Sequence, residues 1–132
     1  MKMNKIQKLT VKALFKNDDE VLILKSNRDE FWELPGGKVE FGEHPEQTLK
    51  REVDEELSIK NFAIEKIIHL WNFAAEDEDG QWDFDVAVYL CRSDDWDKIK
   101  LSHEHTEFKW VKISDIKNYL MRYGYYEAVT KI

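Results

Sequence analysis

Apolar and polar positions fall into two kinds of pattern along this chain, and together they divide it into strands and helices. From Ile6 to Phe15 the apolar positions suit a strand, and Asn17-Asp18-Asp19 reads as the turn that ends it. Val21-Leu22-Ile23-Leu24 is a short continuous apolar run, as in a strand buried on both faces. Ser26 to Glu30 is a polar loop leading into Phe31-Trp32, and Leu34-Pro35-Gly36-Gly37 reads as a tight turn. The period then changes. Leu49, Val53 and Leu57 recur every four residues, which predicts a helix over Pro45 to Leu57, with proline tolerated at its start. Strand character returns over Phe62 to Phe73, and Asp79-Gly80 predicts a hairpin turn. The return strand is Trp82 to Arg92, where Phe84, Val86, Val88 and Leu90 alternate with the residues between them. Ser93 to His105 is irregular, and Phe108 to Val111 makes a last short strand. Ser114 is a credible cap for a second helix with Ile116, Tyr119 and Leu120 on its apolar face. Gly124 would interrupt that helix, leaving Tyr125 to Ile132 as a final turn or short helix. This order predicts an α/β fold in which helices cover a mixed sheet.

The first helix carries a chemical anomaly. Glu52, Glu55 and Glu56 fall within an arc of about 100° beside the apolar stripe. Glu52 repels both of the others at i,i+3 and i,i+4, at roughly 0.2–0.5 kcal/mol per pair. Glu55 and Glu56 also sit in the last turn, where the helix dipole favours cations. A solvated acidic face is the bland explanation. Bound Mg²⁺ would remove the conflict, because that ion takes carboxylate oxygens together with substrate phosphates. The glycines just upstream favour the second explanation, since glycine-rich backbone beside such a helix can cradle phosphates.

The stretch from Glu33 to Ile59 resembles the Nudix box. In that family a glycine is followed after five residues by Glu, and seven residues later by Arg-Glu, an aliphatic residue, any residue, Glu-Glu, any residue, Gly and an aliphatic residue. This chain supplies Gly37, Glu43, Arg51, Glu52, Val53, Glu55, Glu56 and Ile59 at those positions. Ser58 stands where the family has glycine. Serine in a left-handed helix exit would cost about 1–2 kcal/mol, unless the helix ends differently near Asn61.

The resemblance implies the Nudix α/β/α sandwich with a mixed central sheet, as a single domain over residues 1–132. It also implies metal-dependent hydrolysis of a phosphoanhydride in a nucleoside diphosphate linked to another group, a nucleoside triphosphate or nucleotide sugar being the expected type. Mg²⁺ or Mn²⁺ would be held by Glu52, Glu55 and Glu56, with the Gly36 carbonyl and Glu104 of the late loop adding to them. Glu52 is expected as base or ligand, Glu104 as the loop contributor with Glu107 competing, and Arg51 as the residue that holds a box glutamate in place. Glu43 would orient water or support the helix start. Gly37 is expected at the substrate. Trp71, Phe73, Trp82 and Trp110 are all available to stack on a base, and of these we assign Trp110. His103 and His105 flank Glu104 and are within reach of phosphate or metal only if the loop turns inward; exposure is the simpler reading. No proline or tyrosine stands at Ala74 to Asp77, where some branches of the family mark their substrate, so substrate identity stays open.

Composition narrows the rest. Hydrophobic residues make up 42% and charged residues 36%, a globular balance, and 132 residues can bury a substantial core. The net charge of −7 argues against extended nucleic-acid contact, although Lys2, Lys5, Lys8 and Lys12 leave room for a local basic patch and hence for an RNA 5′-pyrophosphohydrolase. A non-catalytic nucleotide sensor on the same fold is the other alternative. No apolar run is long enough for a membrane span, and Met1 to Thr10 does not read as a signal peptide. The lone Cys91 fits a reducing cytoplasm and a buried, inert thiol. A small nucleotide is the expected partner, with self-association into a homodimer left open.

Overall fold

The structure, a computed structural model, describes residues 4–132. Lys2 of the expected basic patch lies outside the described residues. Among the described residues seven strands and two α-helices follow in order: β1 (Lys5–Asn17), β2 (Glu20–Ser26), β3 (Trp32–Glu33), β4 (Gly36–Lys38), α1 (Pro45–Leu57), β5 (Ala63–Asp77), β6 (Gly80–Arg92), β7 (His105–Lys112) and α2 (Tyr123–Val129). The sheet runs β3-β2-β1-β6-β5, with β4 added to β1 and β7 to β2. Among the described strand pairings the long central one of β1 with β6 is parallel and the others antiparallel, with one further parallel bridge between Trp32 and Met121. The sheet is therefore mixed, as expected.

Both faces of this sheet are covered. Alternate positions of β1 separate the two cores: Leu14 packs with Val86, Val88, Ile116, Tyr125 and Val129. Val11, Ala13 and Phe15 face the other way, against Leu49, Val53 and Leu57 of α1. The three α1 residues are fully buried, each stabilising by about 1.5–3 kcal/mol. Val21 to Leu24 are likewise buried at every position, so the continuous apolar run is a strand with a core on each side. Cys91 is buried, and burial pushes its thiol up to about 12, so it is inert at neutral pH.

The helix start and exit are both defined by specific hydrogen bonds. The Gln47 side chain accepts from the His44 backbone N–H at 2.9 Å, one half of a capping box. At the other end Ser58 does adopt the left-handed conformation, with φ 60° and ψ 31°, and its N–H closes on the Asp54 carbonyl. The loop before β7 then caps the exposed carbonyls of the last turn, Lys100 N–H donating to Leu57 and Ser102 N–H to Glu56.

Three expectations are corrected. The glycine stretch is more than a turn: Gly36 and Gly37 pair with Lys12 and Val11 of β1 as strand β4. Gly36 has φ +146°, and a Cβ there would lie 2.0 Å from the Val11 carbonyl, so only glycine fits. The segment after Lys112 is a 3₁₀ helix over Ile113–Asn118 rather than an α-helix. Its core residues Ile113 and Ile116, with Tyr119 just past its end, recur every three residues, the period of a 3₁₀ helix. The chain then runs extended, so that the Leu120 carbonyl accepts from Trp32 N–H at 2.8 Å. Gly124 lies inside α2 and does not break it. A Cβ there would fall 2.0 Å from the Trp71 ring, so glycine lets α2 lie against β5.

Candidate active site

Strand β4 holds the glycine backbone against the acidic edge of α1. The Gly36 N–H donates to both Glu56 carboxylate oxygens at 3.3 and 3.4 Å. A Cβ on Gly37 would stand 2.5 Å from the Glu52 carboxyl carbon, so the missing side chain is the space that this carboxylate fills. Gly36, Gly37, Glu52, Glu56 and Glu104 all line one cavity of about 650 Å³. Lys12, Glu33, Phe73, Phe84, Arg122 and Tyr125 are among its other walls.

Arg51 organises the acids along the helix. Its Nε and Nη2 grip the two oxygens of Glu43 at 2.9 and 3.1 Å, and its Nη1 donates to Glu52 at 2.9 Å. The same Nη1 reaches Glu55 at 3.5 Å. Part of the repulsion foreseen on this helix is thus offset within the protein. The Arg51 hydrogen bonds, with one from the Thr48 hydroxyl, hold the Glu43 carboxyl down at about 2.

Glu56 is in the opposite situation. It is 2% exposed, and burial pushes its carboxyl well above the usual range. Lys12 opposes that rise, while Glu52 and Glu33 add to it. Beneath it lies a charged layer absent from the expectations. Lys12 is 8% exposed and donates to the Leu34 carbonyl at 3.1 Å. Burial disfavours its charge, but Tyr125, Glu33, Glu56 and Glu52 outweigh burial and raise its pKa. Glu33 meets His105 Nε2 at 2.7 Å. Burial works against the Glu33 charge too, yet Lys12 and His105 hold it down at about 2. The other His105 nitrogen, Nδ1, is buried without a hydrogen-bond partner, 3.9 Å from Glu56.

The expected site residues therefore divide. Gly36, Gly37, Glu52, Glu56 and Glu104 come together around the cavity. Glu55 does not line it; its side chain is 58% exposed beside Arg51. Glu43 is occupied by Arg51 and Thr48, and Glu107 is exposed on β7. Trp110 is turned away: it packs edge-on against Trp96, with ring centroids 4.7 Å apart, over the α1 core. Phe73 and Phe84 take the aromatic position at the cavity instead, stacked on each other at 5.1 Å. His105 is buried rather than exposed, whereas His103 is exposed. Lys12 belongs to the cavity and to no surface patch. The sequence held one signal for the missed residues: Lys12 and Glu33 are charges placed inside otherwise apolar strand segments.

The donor set suits a hard divalent cation. Glu52, Glu56, Glu104 and the Gly36 backbone offer oxygen, and a buried carboxylate beside two others calls for positive charge. As the side chains stand, no group of three or more His, Cys, Asp and Glu residues is close enough to hold an ion among the described residues. No described helix is long and apolar enough to cross a membrane.

Comparison with known proteins agrees with this layout. The NUDIX domain pattern matches residues 7–131. The nucleoside triphosphatase NudI of Klebsiella pneumoniae (strain 342) is 33% identical, over 86% of this chain and 87% of that protein. Among solved structures, the MutT protein from Methanosarcina mazei Go1 is 27% identical with a TM-score of 0.74, covering 97% of this chain and 94% of that one. The Escherichia coli dihydroneopterin triphosphate pyrophosphohydrolase has the same fold with a TM-score of 0.82 at 19% identity, covering 96% and 97%. With a glycine strand against an acidic helix and a family match over nearly all of its length, the chain belongs to the Nudix family and is a Nudix hydrolase.

Proposed function

We propose that this protein is a metal-dependent pyrophosphohydrolase of nucleoside triphosphates, acting as one domain over residues 1–132 in the cytoplasm. One observation carries the proposal: Glu52 and Glu56 share a single cavity with the glycine backbone, cationic side chains and two stacked phenylalanines. The similarity to the K. pneumoniae nucleoside triphosphatase supports the triphosphate over a nucleotide sugar.

Glu52, Glu56 and Glu104, with the Gly36 carbonyl, would hold Mg²⁺ or Mn²⁺. Such an ion would polarise phosphoryl oxygens and balance negative charge on the departing pyrophosphate. Glu52 accepts the proton of the attacking water, and Arg51 fixes that carboxylate from the side. Gly37 leaves room for Glu52 where any side chain would displace it. Phe73 and Phe84 give the base an apolar, π-rich wall.

A panel of nucleoside triphosphates assayed with Mg²⁺ or Mn²⁺ tests this. At least one should be cleaved, and Glu52→Gln should lower turnover by about 10²–10⁴-fold with the melting temperature unchanged. Undiminished turnover in that variant refutes the role given to Glu52. Cleavage confined to nucleotide sugars refutes the substrate class.

A further inference from the structure

Lys12 is a charged residue that neither the box nor the fold accounts for. It occupies the middle of β1, where Val11 and Ala13 on either side and Leu14 beyond are fully buried apolar residues. A strand core of this kind has no structural need of an ammonium group, and burying one is costly unless it is paired. Its pairing is incomplete. The ammonium has three protons, and the Leu34 carbonyl takes one of them. The acids around it are engaged elsewhere: Glu33 with His105, Glu52 with Arg51, and Glu56 with the Gly36 N–H. The lysine stem is also pinned from above, since a Cβ on Gly36 would lie 2.9 Å from its Cδ. The result is a fixed positive charge in the wall of the active-site cavity, directly under the glycine strand.

We propose that Lys12 is a substrate-binding residue whose ammonium donates to a phosphate oxygen of the nucleotide. A lysine serves phosphate as a compact point charge with rotatable donors. Glu33, Glu52 and Glu56 favour its charge at longer range but accept no hydrogen bond from it, and a phosphate oxygen can take a proton that they leave free. Fixed by the strand, it meets the phosphate chain from the sheet side, while the carboxylate edge of α1 meets it from the helix side. This assignment rests on the triphosphate reading above and adds a determinant outside the box. It predicts that affinity for the phosphate chain depends on Lys12, and that recognition of the base does not.

The test is binding, not turnover. Calorimetry with an α,β-methylene nucleoside triphosphate and Mg²⁺ is compared with ligand-observed NMR titration of the phosphate-free nucleoside. Lys12→Gln retains a donor for the Leu34 carbonyl but removes the charge. It should weaken the triphosphate analogue on the order of 10-fold or more and leave the nucleoside within about 2-fold. Lys12→Arg keeps the charge and should restore most of the analogue affinity. Lys16→Ala, on the same strand but outside the cavity, should change neither and controls for net charge. Equal analogue binding by Lys12→Gln and wild type overturns the assignment, and so does a parallel loss of nucleoside binding, which marks a merely structural role. If the wild-type protein binds the nucleoside but not the analogue, the triphosphate reading fails, and the assignment with it.

Discussion

Replacing Gly37 by alanine tests the geometry of the site with a single methyl group. Gly37 does not have the positive φ that makes Gly36, Gly42 and Gly80 intolerant of side chains, so alanine fits its backbone. The new Cβ would stand 2.5 Å from the Glu52 carboxyl carbon and 2.6 and 2.8 Å from its oxygens. Ordinary contact begins at 3.4 Å, so the carboxylate must withdraw by about 0.9 Å. It is the end of a flexible side chain and can move, but moving strains its 2.9 Å hydrogen bond with Arg51. The expected stability cost is therefore about 1 kcal/mol or less, at the low end for overpacking. Catalysis is less forgiving, because a misplacement of about 1 Å costs on the order of 10²-fold. Turnover of the preferred triphosphate, followed by phosphate and pyrophosphate release, should fall by about that factor while the melting temperature drops by only a few degrees. Activity within 3-fold of wild type would refute the claim that Glu52 works from the position it occupies here.

Other consequences are equally direct. Ser58→Gly should raise stability by about 0.5–1 kcal/mol, seen as a higher melting temperature, because glycine removes the cost of φ 60° and Ser58 Oγ makes only a 3.4 Å contact with the Lys100 carbonyl; turnover should not change. Gly124→Ala should destabilise by about 1–3 kcal/mol, since a Cβ 2.0 Å from the Trp71 ring forces α2 away from β5, and an unshifted melting temperature would contradict that packing. The pH dependence of stability without metal should carry the signature of Glu33. Its folded value of about 2 lies below the ordinary 4.5, so the stability it contributes is complete above pH 4.5 and is lost as pH falls towards 2. Urea midpoints measured across that window should fall more steeply for wild type than for Glu33→Gln.

Much of the layout could be read before any coordinates. The bounds of α1 were legible because Leu49, Val53 and Leu57 all have one buried destination and Pro45 fixes the start. The run from Val21 to Leu24 was legible because both faces of β2 are covered. Local pattern failed where partners distant in sequence decide the outcome. Gly124 looks like a helix breaker until Trp71, from the far side of the hairpin, is placed against it. Trp110 and Phe73 are alike as aromatic residues in strands. Which one meets the cavity depends on strand order and register, and Trp110 pairs with Leu22 on the α1 side. Lys12, Glu33 and His105 show a related limit. Lys12 and Glu33 are isolated charges near apolar residues and His105 lies in a polar stretch, and only the pairing of β4 with β1 and of β3 and β7 with β2 brings them together beside Glu56. Among the acids, the spacing of the box grouped Glu55 with Glu52 and Glu56, but Arg51 and solvent separate it from them.

The central claim is that Glu52 and Glu56, beside the glycine strand, grip the cations that hold a nucleotide's phosphates. Anomalous diffraction from a crystal soaked with Mn²⁺ and a non-hydrolysable triphosphate tests it most directly. The account predicts manganese peaks bonded to oxygens of Glu52 and Glu56, with the phosphate chain between them and Lys12 and the base against Phe73 and Phe84. Peaks confined to the acidic hairpin around Asp77, with the two glutamates unliganded and the cavity empty, would contradict it.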